Sequence, residues 1–225
     1  ERRAVLDQLA DYPVRVMTVP SLQDIISGRP VDALAQVQPE DLLARDPVPP
    51  LEQLYHDSIR DKVVLVTGAG GSIGSELCRQ VVKAGAYKLL LFEKNEYALY
   101  QIHRELQSEK VVPVLGDICD SGRVSEVIVR YGVQTVYHAA AYKHVPLVEA
   151  NVHEGFRNNV LGTQTVAAAA EAGGVERFVM VSTDKAVRPT NVMGATKRVA
   201  EILVQAMGHN AKTSFSMVRF GNVLG

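Results

Sequence analysis

Tryptophan is absent from this chain, only two cysteines occur, and aromatic residues make up 6% of the 225 positions. Cys78 and Cys119 stand far apart and match no metal spacing, which excludes a disulfide framework and a cysteine-based metal centre. Both are expected to be buried, reduced thiols of a cytosolic protein. No apolar run is long enough to cross a membrane, and the first residues do not read as a signal peptide. Excess charge of either sign is missing too: 24 basic residues face 25 acidic ones, without the Lys/Arg density of a nucleic-acid patch. The 47% apolar content suits a globular protein with one main core. The chain begins at Glu1 rather than Met and reads as a fragment or a processed form.

Glycine, in contrast, is concentrated where it carries information. Lys62-Val-Val-Leu-Val-Thr-Gly-Ala-Gly-Gly-Ser-Ile-Gly74 is a buried-strand pattern that empties into glycines 68, 70, 71 and 74, and an amphipathic helix begins near Ile73. Strand, glycine turn and helix start together make a cradle for a pyrophosphate. The backbone can approach it without a Cβ in the way, and the first helical N–H groups point at it. The second strand, over 87–93, ends in Glu93 about 20 residues beyond Gly74, where a carboxylate can accept from an adenosine ribose. Glu93 points to NAD. Lys94 follows directly and can meet a 2′-phosphate instead, which leaves NADP open.

Residues 1 to 50 hold seven of the ten prolines and no glycine-rich loop. They read as a remnant of an upstream domain plus a linker closing at Asp46-Pro-Val-Pro-Pro50, with a strand-like piece over 14–19 and a helical turn over 22–27. An arm packed on the main domain is the alternative. A short helix over 51–59 leads into residues 51–225, where strands alternate with helices: strands over 111–115, 133–138, 177–182 and 213–220, helices over 96–106, 124–131, 159–172 and 191–207. Repeated β-α units predict an α/β, Rossmann-like doubly wound parallel sheet with helices on both faces, whose ligands bind beyond the carboxyl ends of the strands.

The polar motifs fall at those ends: Gly116-Asp117, His138-Ala-Ala-Ala-Tyr-Lys-His-Val-Pro146, Ser182-Thr-Asp-Lys185 and Arg219-Phe-Gly-Asn222. Asp117 can accept from an adenine amino group or cap a turn. Ala139, Ala140 and Ala141 allow a ribose to lie on the backbone, or serve close helix–sheet packing. Thr183, Asp184 and Lys185 bring a hydroxyl, an acid and an amine together, able to divide acid and base roles; a strand-end turn with a surface ion pair is the plainer reading. Lys197 is either part of that site or a solvated helix lysine. His138 and His144 lack a third ligand at metal spacing and are read as hydrogen-bonded structural residues, with no metal expected.

Thr67-Gly-Ala-Gly-Gly-Ser-Ile-Gly74, Gly116-Asp117, the His138 to Pro146 stretch, Asn158-Asn159, Ser182-Thr-Asp-Lys185, Met193-Gly-Ala-Thr-Lys197 and Arg219-Phe-Gly-Asn222 together resemble the extended short-chain dehydrogenase/reductases. More narrowly, they resemble the nucleotide-sugar 4,6-dehydratases of bacterial capsule, O-antigen and glycan synthesis that act on UDP-N-acetylglucosamine. The resemblance covers about residues 40 to 225. It implies that Gly68, Gly71 and Gly74, within a loop that includes Thr67, Gly70, Ser72 and Ile73, hold the pyrophosphate of NAD or NADP. Glu93 and Lys94 would then meet the adenosine ribose, Asp117 and Ile118 the adenine, Ala139 to Ala141 the nicotinamide half, and Lys197 the nicotinamide ribose. Thr183, Asp184 and Lys185 would stand at the sugar, with Lys143, His144 and Asn222 as further substrate contacts. The implied lyase reaction oxidises C4, lets Lys185 remove the acidified C5 proton while Asp184 protonates the departing C6 hydroxyl, and returns the hydride to C6.

Two departures qualify the resemblance. The superfamily's tyrosine, four residues before the lysine, is Met193 here, and a thioether can neither donate nor accept the C4 hydroxyl proton. Some larger, membrane-anchored members of the dehydratase family also carry methionine there. The base for the C4 hydroxyl is left to Thr183, Asp184 or a relayed water. The chain also stops at Gly225, where the family continues into a smaller domain that grips the nucleotide-sugar, so weak turnover by this piece is expected. The resemblance further implies a homo-oligomer and a parent anchored to the inner membrane through a region before this one, with this domain on the cytoplasmic side. A nucleotide-sugar 4-epimerase shares the fold and the first hydride step but relies on the missing tyrosine. A non-catalytic NAD(P)-binding module is the third reading.

Overall fold

The structure, a computed structural model, describes residues 17–18, 26, 35–36, 51 and 57–221. The chain divides into two compact units, residues 1–50 with 222–225, and residues 51–221. In the first, Met17–Thr18 pairs antiparallel with Ala35–Gln36, and Ile26 is helical. Met17–Thr18 and Ile26 fall within the expected strand-like piece and helical turn; the strand at Ala35–Gln36 is unexpected. The linker at 46–50, Asn222, and most of the helix expected over 51–59 lie outside the described residues.

The second unit is a six-stranded parallel sheet of β1 (Val63–Thr67), β2 (Lys88–Glu93), β3 (Val111–Leu115), β4 (Thr135–His138), β5 (Arg177–Thr183) and β6 (Ser214–Phe220). The spatial order is 3-2-1-4-5-6, the doubly wound Rossmann arrangement, in which the crevice where the order reverses receives the ligand. Here that crevice lies between the ends of β1 and β4. The central strand β1 is buried at all five positions, as its unbroken apolar run requires; β6, on the edge, alternates toward solvent. Register sets Thr67 beside Phe92 on one side and His138 on the other, and Ser182 beside Arg219.

Helices α1 (Ser72–Lys83), α2 (Glu96–Leu106), α3 (Ser121–Tyr131), α4 (Val145–Ala150), α5 (Val152–Phe156), α6 (Thr163–Ala172) and α7 (Val192–Met207) cover the sheet. Two apolar cores result. One, around Val64, Val66, Leu89, Leu91, Cys78 and Leu99, packs α1 and α2 on one face. The other, around Leu65, Leu90, Val136, Phe178, Val166 and Val204, packs α3, α6 and α7 on the opposite face.

The structure departs from expectation at the helix predicted over 159–172. It is preceded by α4 and α5, and residues Arg157–Gly162 form a π-helical segment that runs into α6. The wider turn buries two consecutive asparagines, Asn158 and Asn159, which a regular α-helix would spread over about 100° of its surface. Cys78 is buried, and burial pushes its thiol up to about 12; Cys119, expected to be buried as well, is only half-buried because it lies at the rim of the sheet. Among the described residues no helix is long and apolar enough to cross a membrane, and no group of three or more His, Cys, Asp or Glu side chains is placed to hold a metal ion.

Candidate active site

The chain leaves β1 through Gly68, whose φ of +68° favours glycine, and closes a turn in which Gly71 N–H donates to Gly68 O at 3.0 Å. A Cβ on Gly74 would come within 1.9 Å of Gly68 O, so this glycine lets α1 start against the loop. Gly71 is different: a Cβ there would touch only Gly68 O, at 3.3 Å, and otherwise enter the cleft. The fold does not need a glycine at 71. A ligand lying on the backbone does. The first amides of α1, on Ser72, Ile73 and Gly74, have no partner within the helix and face the same space with its positive dipole end. The loop therefore fits the pyrophosphate of a dinucleotide.

Two clefts meet at this loop. The first, about 310 Å³, is lined by Gly68, Gly70, Gly71, Glu93, Lys94, Gly116, Asp117, Ile118, Ala139 to Ala141 and Asn158. Nearly all of the expected adenosine-side residues are thus brought together. Glu93 is firmly held: Oε2 accepts from Gly70 N–H at 3.0 Å, and Oε1 from the amides of Lys94 and Asn95, both at 2.9 Å. The acid braces the glycine loop as well as facing the cleft. Lys94 reaches Asp117 at 2.8 Å, with Arg157 at 3.7 Å from the same oxygen. Partial burial would raise the Asp117 carboxyl, but Lys94 and the Cys119 amide outweigh it and hold the pKa below its usual value.

The second cleft, about 480 Å³, is lined by Gly71 to Gly74, Ala139, Ala141, Tyr142, Lys143, His144, Leu147, Val148, Asn151, Glu154 and Gly155. Lys143 and His144 do line a cavity together. Their loop is fixed from beneath by Asn159, whose carboxamide accepts from Tyr142 N–H at 2.8 Å and donates to Tyr142 O at 3.0 Å and to Thr196 Oγ1 at 3.1 Å. His138 is wholly buried below that loop. Thr163 gives its hydroxyl proton to Asn159 O, so it accepts from His138 Nε2 at 2.9 Å, and His138 Nδ1 accepts from Thr67 at 2.8 Å. Burial first, and Lys197 nearby, push its pKa down to about 3, so the imidazole is neutral. This is the hydrogen-bonded role expected of it.

Thr183, Asp184, Lys185, Met193 and Lys197 line neither cleft. They form a separate group at the end of β5 and the start of α7. Thr183 caps the 3-10 turn Asp184–Ala186 by accepting from Lys185 N–H, and its hydroxyl donates to Asp184 Oδ1 at 3.0 Å. Lys185 Nζ lies 3.5 Å from the same oxygen. The hydroxyl, then the ammonium, hold the Asp184 carboxyl below its usual range. The plainer reading, a strand-end ion pair, and the catalytic one thus describe the same contact. A Cβ on Gly194 would meet Lys185 O at 2.3 Å, so α7 is packed directly on this turn. Met193 is buried, and Lys197 donates to Val181 O at 2.8 Å; burial lowers its ammonium to about 8. Lys197 is therefore not a solvated helix lysine.

Sequence reasoning passed over Glu201. It is 1% exposed and accepts from Ser182, Arg198 and both ends of the Arg219 guanidinium. The only signal for it was its position one helical turn after Lys197, on the face that α7 buries. Glu149 was also missed; its carboxylate accepts from Val192 N–H and caps α7 beside the Asn191 side chain.

Residues 64–225 match the model of a family described as polysaccharide biosynthesis protein. The chain belongs to that family. It is 50% identical over 219 residues to the capsular polysaccharide biosynthesis protein CapD of Staphylococcus aureus, covering 94% of this chain and 37% of the relative. It is 34% identical over 168 residues to a UDP-N-acetylglucosamine 4,6-dehydratase (inverting) of Campylobacter jejuni, covering 73% of this chain and 50% of the relative. At 33% identity and the same coverage stands a UDP-glucose 4-epimerase of Rickettsia rickettsii. Thus the chain spans half or less of the length of these curated relatives. Among solved structures, Pen from Bacillus thuringiensis superposes with a TM-score of 0.70 at 34% identity, covering 74% of this chain and 52% of that one. The dTDP-glucose 4,6-dehydratase DesIV of Streptomyces venezuelae, solved with NAD bound, does so with a TM-score of 0.65 at 26% identity, covering 69% and 54%. The superfamily fold, the Rossmann sheet and the link to surface polysaccharide synthesis agree with the sequence reading.

Proposed function

We propose that this chain is the cofactor-binding and catalytic part of a nucleotide-sugar 4,6-dehydratase, a lyase that removes water from UDP-N-acetylglucosamine to give a UDP-4-keto-6-deoxy sugar. The observation that carries the proposal is the hydrogen-bonded Thr183–Asp184–Lys185 group, packed against α7 in a domain whose glycine loop fits the pyrophosphate of NAD. Residues 51–225 form the cofactor domain in this reading, and residues 1–50 belong to an upstream unit.

Bound NAD would supply a hydride acceptor at C4 that later returns the hydride to C6. The glycine loop and α1 hold its pyrophosphate, Glu93 its adenosine ribose, and Lys197 its nicotinamide ribose. With Met193 unable to take a proton, Thr183 accepts the C4 hydroxyl proton while its own passes to Asp184 Oδ1, 3.0 Å away. Asp184 then gives that proton to the departing C6 oxygen. At 58% side-chain exposure it is ionised before the sugar arrives; burial under the sugar raises its pKa and makes it an acid. Lys185 starts as the ammonium paired with Asp184; it first gives a proton to water as the sugar neutralises that partner, and the free amine then removes the C5 proton and returns it there. Lys143, His144 and Asn222 contact the substrate. Apolar side chains left exposed on α5 and α7, among them Val152, Phe156, Val199 and Ile202, support a homo-oligomer. Anchoring of the parent to the inner membrane rests on the family resemblance alone.

The test is mass spectrometry of products from UDP-N-acetylglucosamine in deuterated water, using the longest natural form of the protein that stays soluble. Loss of water with one deuterium at C5 is expected. The epimerase relative favours a second reading, which would give UDP-N-acetylgalactosamine instead. No product, with NAD(P) recovered on denaturing extraction, would leave a non-catalytic binding module.

A further inference from the structure

Glu201 is a buried carboxylate that the mechanism above does not use. Its four hydrogen bonds fill both oxygens: Ser182 Oγ at 2.6 Å and Arg219 Nε at 2.7 Å on Oε1, Arg219 Nη2 at 2.6 Å and Arg198 Nη1 at 3.0 Å on Oε2. A buried acid without such partners would be costly, and the bidentate arginine is the strongest partner available to it. Burial opposes its ionisation, but the donors from Arg219, Ser182 and Arg198 prevail and hold its pKa down to about 2.

Two of the three elements it joins end at the reactive group, and the third, α7, starts beside it. Ser182 precedes Thr183 on β5. Arg219 lies opposite Ser182 on β6, and two residues on, a Cβ at Gly221 would stand 3.4 Å from Asp184 Oδ2. Glu201 itself is one turn beyond Lys197 on α7. Resting on the dehydratase reading, we propose that Glu201 is a positioning residue, the node that holds the ends of β5 and β6 to the middle of α7 at the spacing that Thr183, Asp184, Lys185 and Lys197 need to act together.

Replacing one oxygen by an amide turns an acceptor into a donor. In Glu201→Gln the NH₂ group would face one arm of Arg219 whichever oxygen it replaces, together with Ser182 or Arg198; the fork would open, and the end of β6 would move relative to Asp184. The charge matters as well. Lys197 is faced by Glu201 on its own helix, with Arg198 beside it in sequence, and by neutral His138 from β4; Arg219 of β6 is bound to Glu201, and Asp184 and Lys185 follow on the turn after β5. Of these, Glu201 favours its ammonium form.

The experiment compares Glu201→Gln with the parent in three readouts: thermal unfolding, NAD affinity from pH 6 to about 9.5, bracketing the lowered lysine, and steady-state turnover of UDP-N-acetylglucosamine. The expected result is a folded variant whose kcat falls by about 10²-fold with KM changed by less than about threefold. The basic limb of its NAD-affinity profile moves to lower pH, which a purely structural brace would not do. An unchanged kcat with an unmoved basic limb overturns the proposal, as does a uniform loss of NAD affinity at every pH. If Glu201→Gln fails to fold, Ser182→Ala takes its place, since it leaves the carboxylate with both arginines. There, about a tenfold loss in kcat at constant NAD affinity supports the node, and unchanged kcat refutes it. Should the parent form no 4-keto product, the dehydratase reading falls, while the pH limb of NAD binding still decides the role of Glu201.

Discussion

In the proposed reading, the adenosine side and the sugar side of the molecule are built on opposite plans. On the adenosine side both acids that face the cleft are tied to backbone: Glu93 to three amides, and Asp117 to the Cys119 amide as well as to Lys94. On the sugar side, Asp184 and Lys185 stand 58% and 39% exposed on a single 3-10 turn, held by Thr183 and by packing of α7. A cofactor that stays bound wants a cradle formed in advance. A substrate that must enter, react and leave is better met by groups that its own burial completes.

That contrast predicts that damage to the cradle costs stability and binding together, whereas damage to the turn costs turnover alone. The largest effect belongs to Gly74→Ala. Its Cβ would press on Gly68 O at 1.9 Å, so a loss of about 3 kcal/mol or more in thermal unfolding should accompany loss of NAD binding. Gly71→Ala marks the exception within the cradle: its Cβ meets only Gly68 O, at 3.3 Å, so stability should stay within about 1 kcal/mol while NAD affinity falls at least about tenfold. Next, Lys185→Ala should lower turnover by about 10³-fold with NAD affinity intact; near-normal turnover would remove it as the C5 base. Glu93→Ala should cost about 2 kcal/mol, through the amides left without an acceptor, and weaken NAD more than NADP in parallel titrations. Equal losses would take Glu93 off the ribose. Smallest of all, Lys94→Ala should cost only about 0.5 kcal/mol, since the pair with Asp117 is partly solvated, while NMR titration finds the Asp117 carboxyl moved up toward its usual range.

The adenosine side was also the more legible in sequence. A β-branched run, four glycines and an acid at the next strand end are local signals, and the six strands fell within two residues of expectation because buried parallel strands announce themselves by apolar runs. The Arg157–Gly162 segment did not, for a π turn has no propensity signature of its own; α4 and α5 are too short for periodicity to register. On the sugar side the Thr-Asp-Lys triplet could be read, but the partners of Glu201 lie on three different elements, and only register between β5 and β6 brings Ser182 and Arg219 to the same carboxylate.

The π segment also acts as a phase shifter. By adding one residue to a turn it lets Asn158 face the adenosine cleft while Asn159 reaches across to Tyr142 and Thr196, and it sets the rotation with which α6 then meets the sheet. Deleting a single residue between 157 and 162 would restore α-helical winding and turn everything before it by about 100° relative to α6. One asparagine would leave its post, although every residue that touches it had been kept. In this stretch the length of the chain is itself a functional element, as specific as any side chain in the crevice.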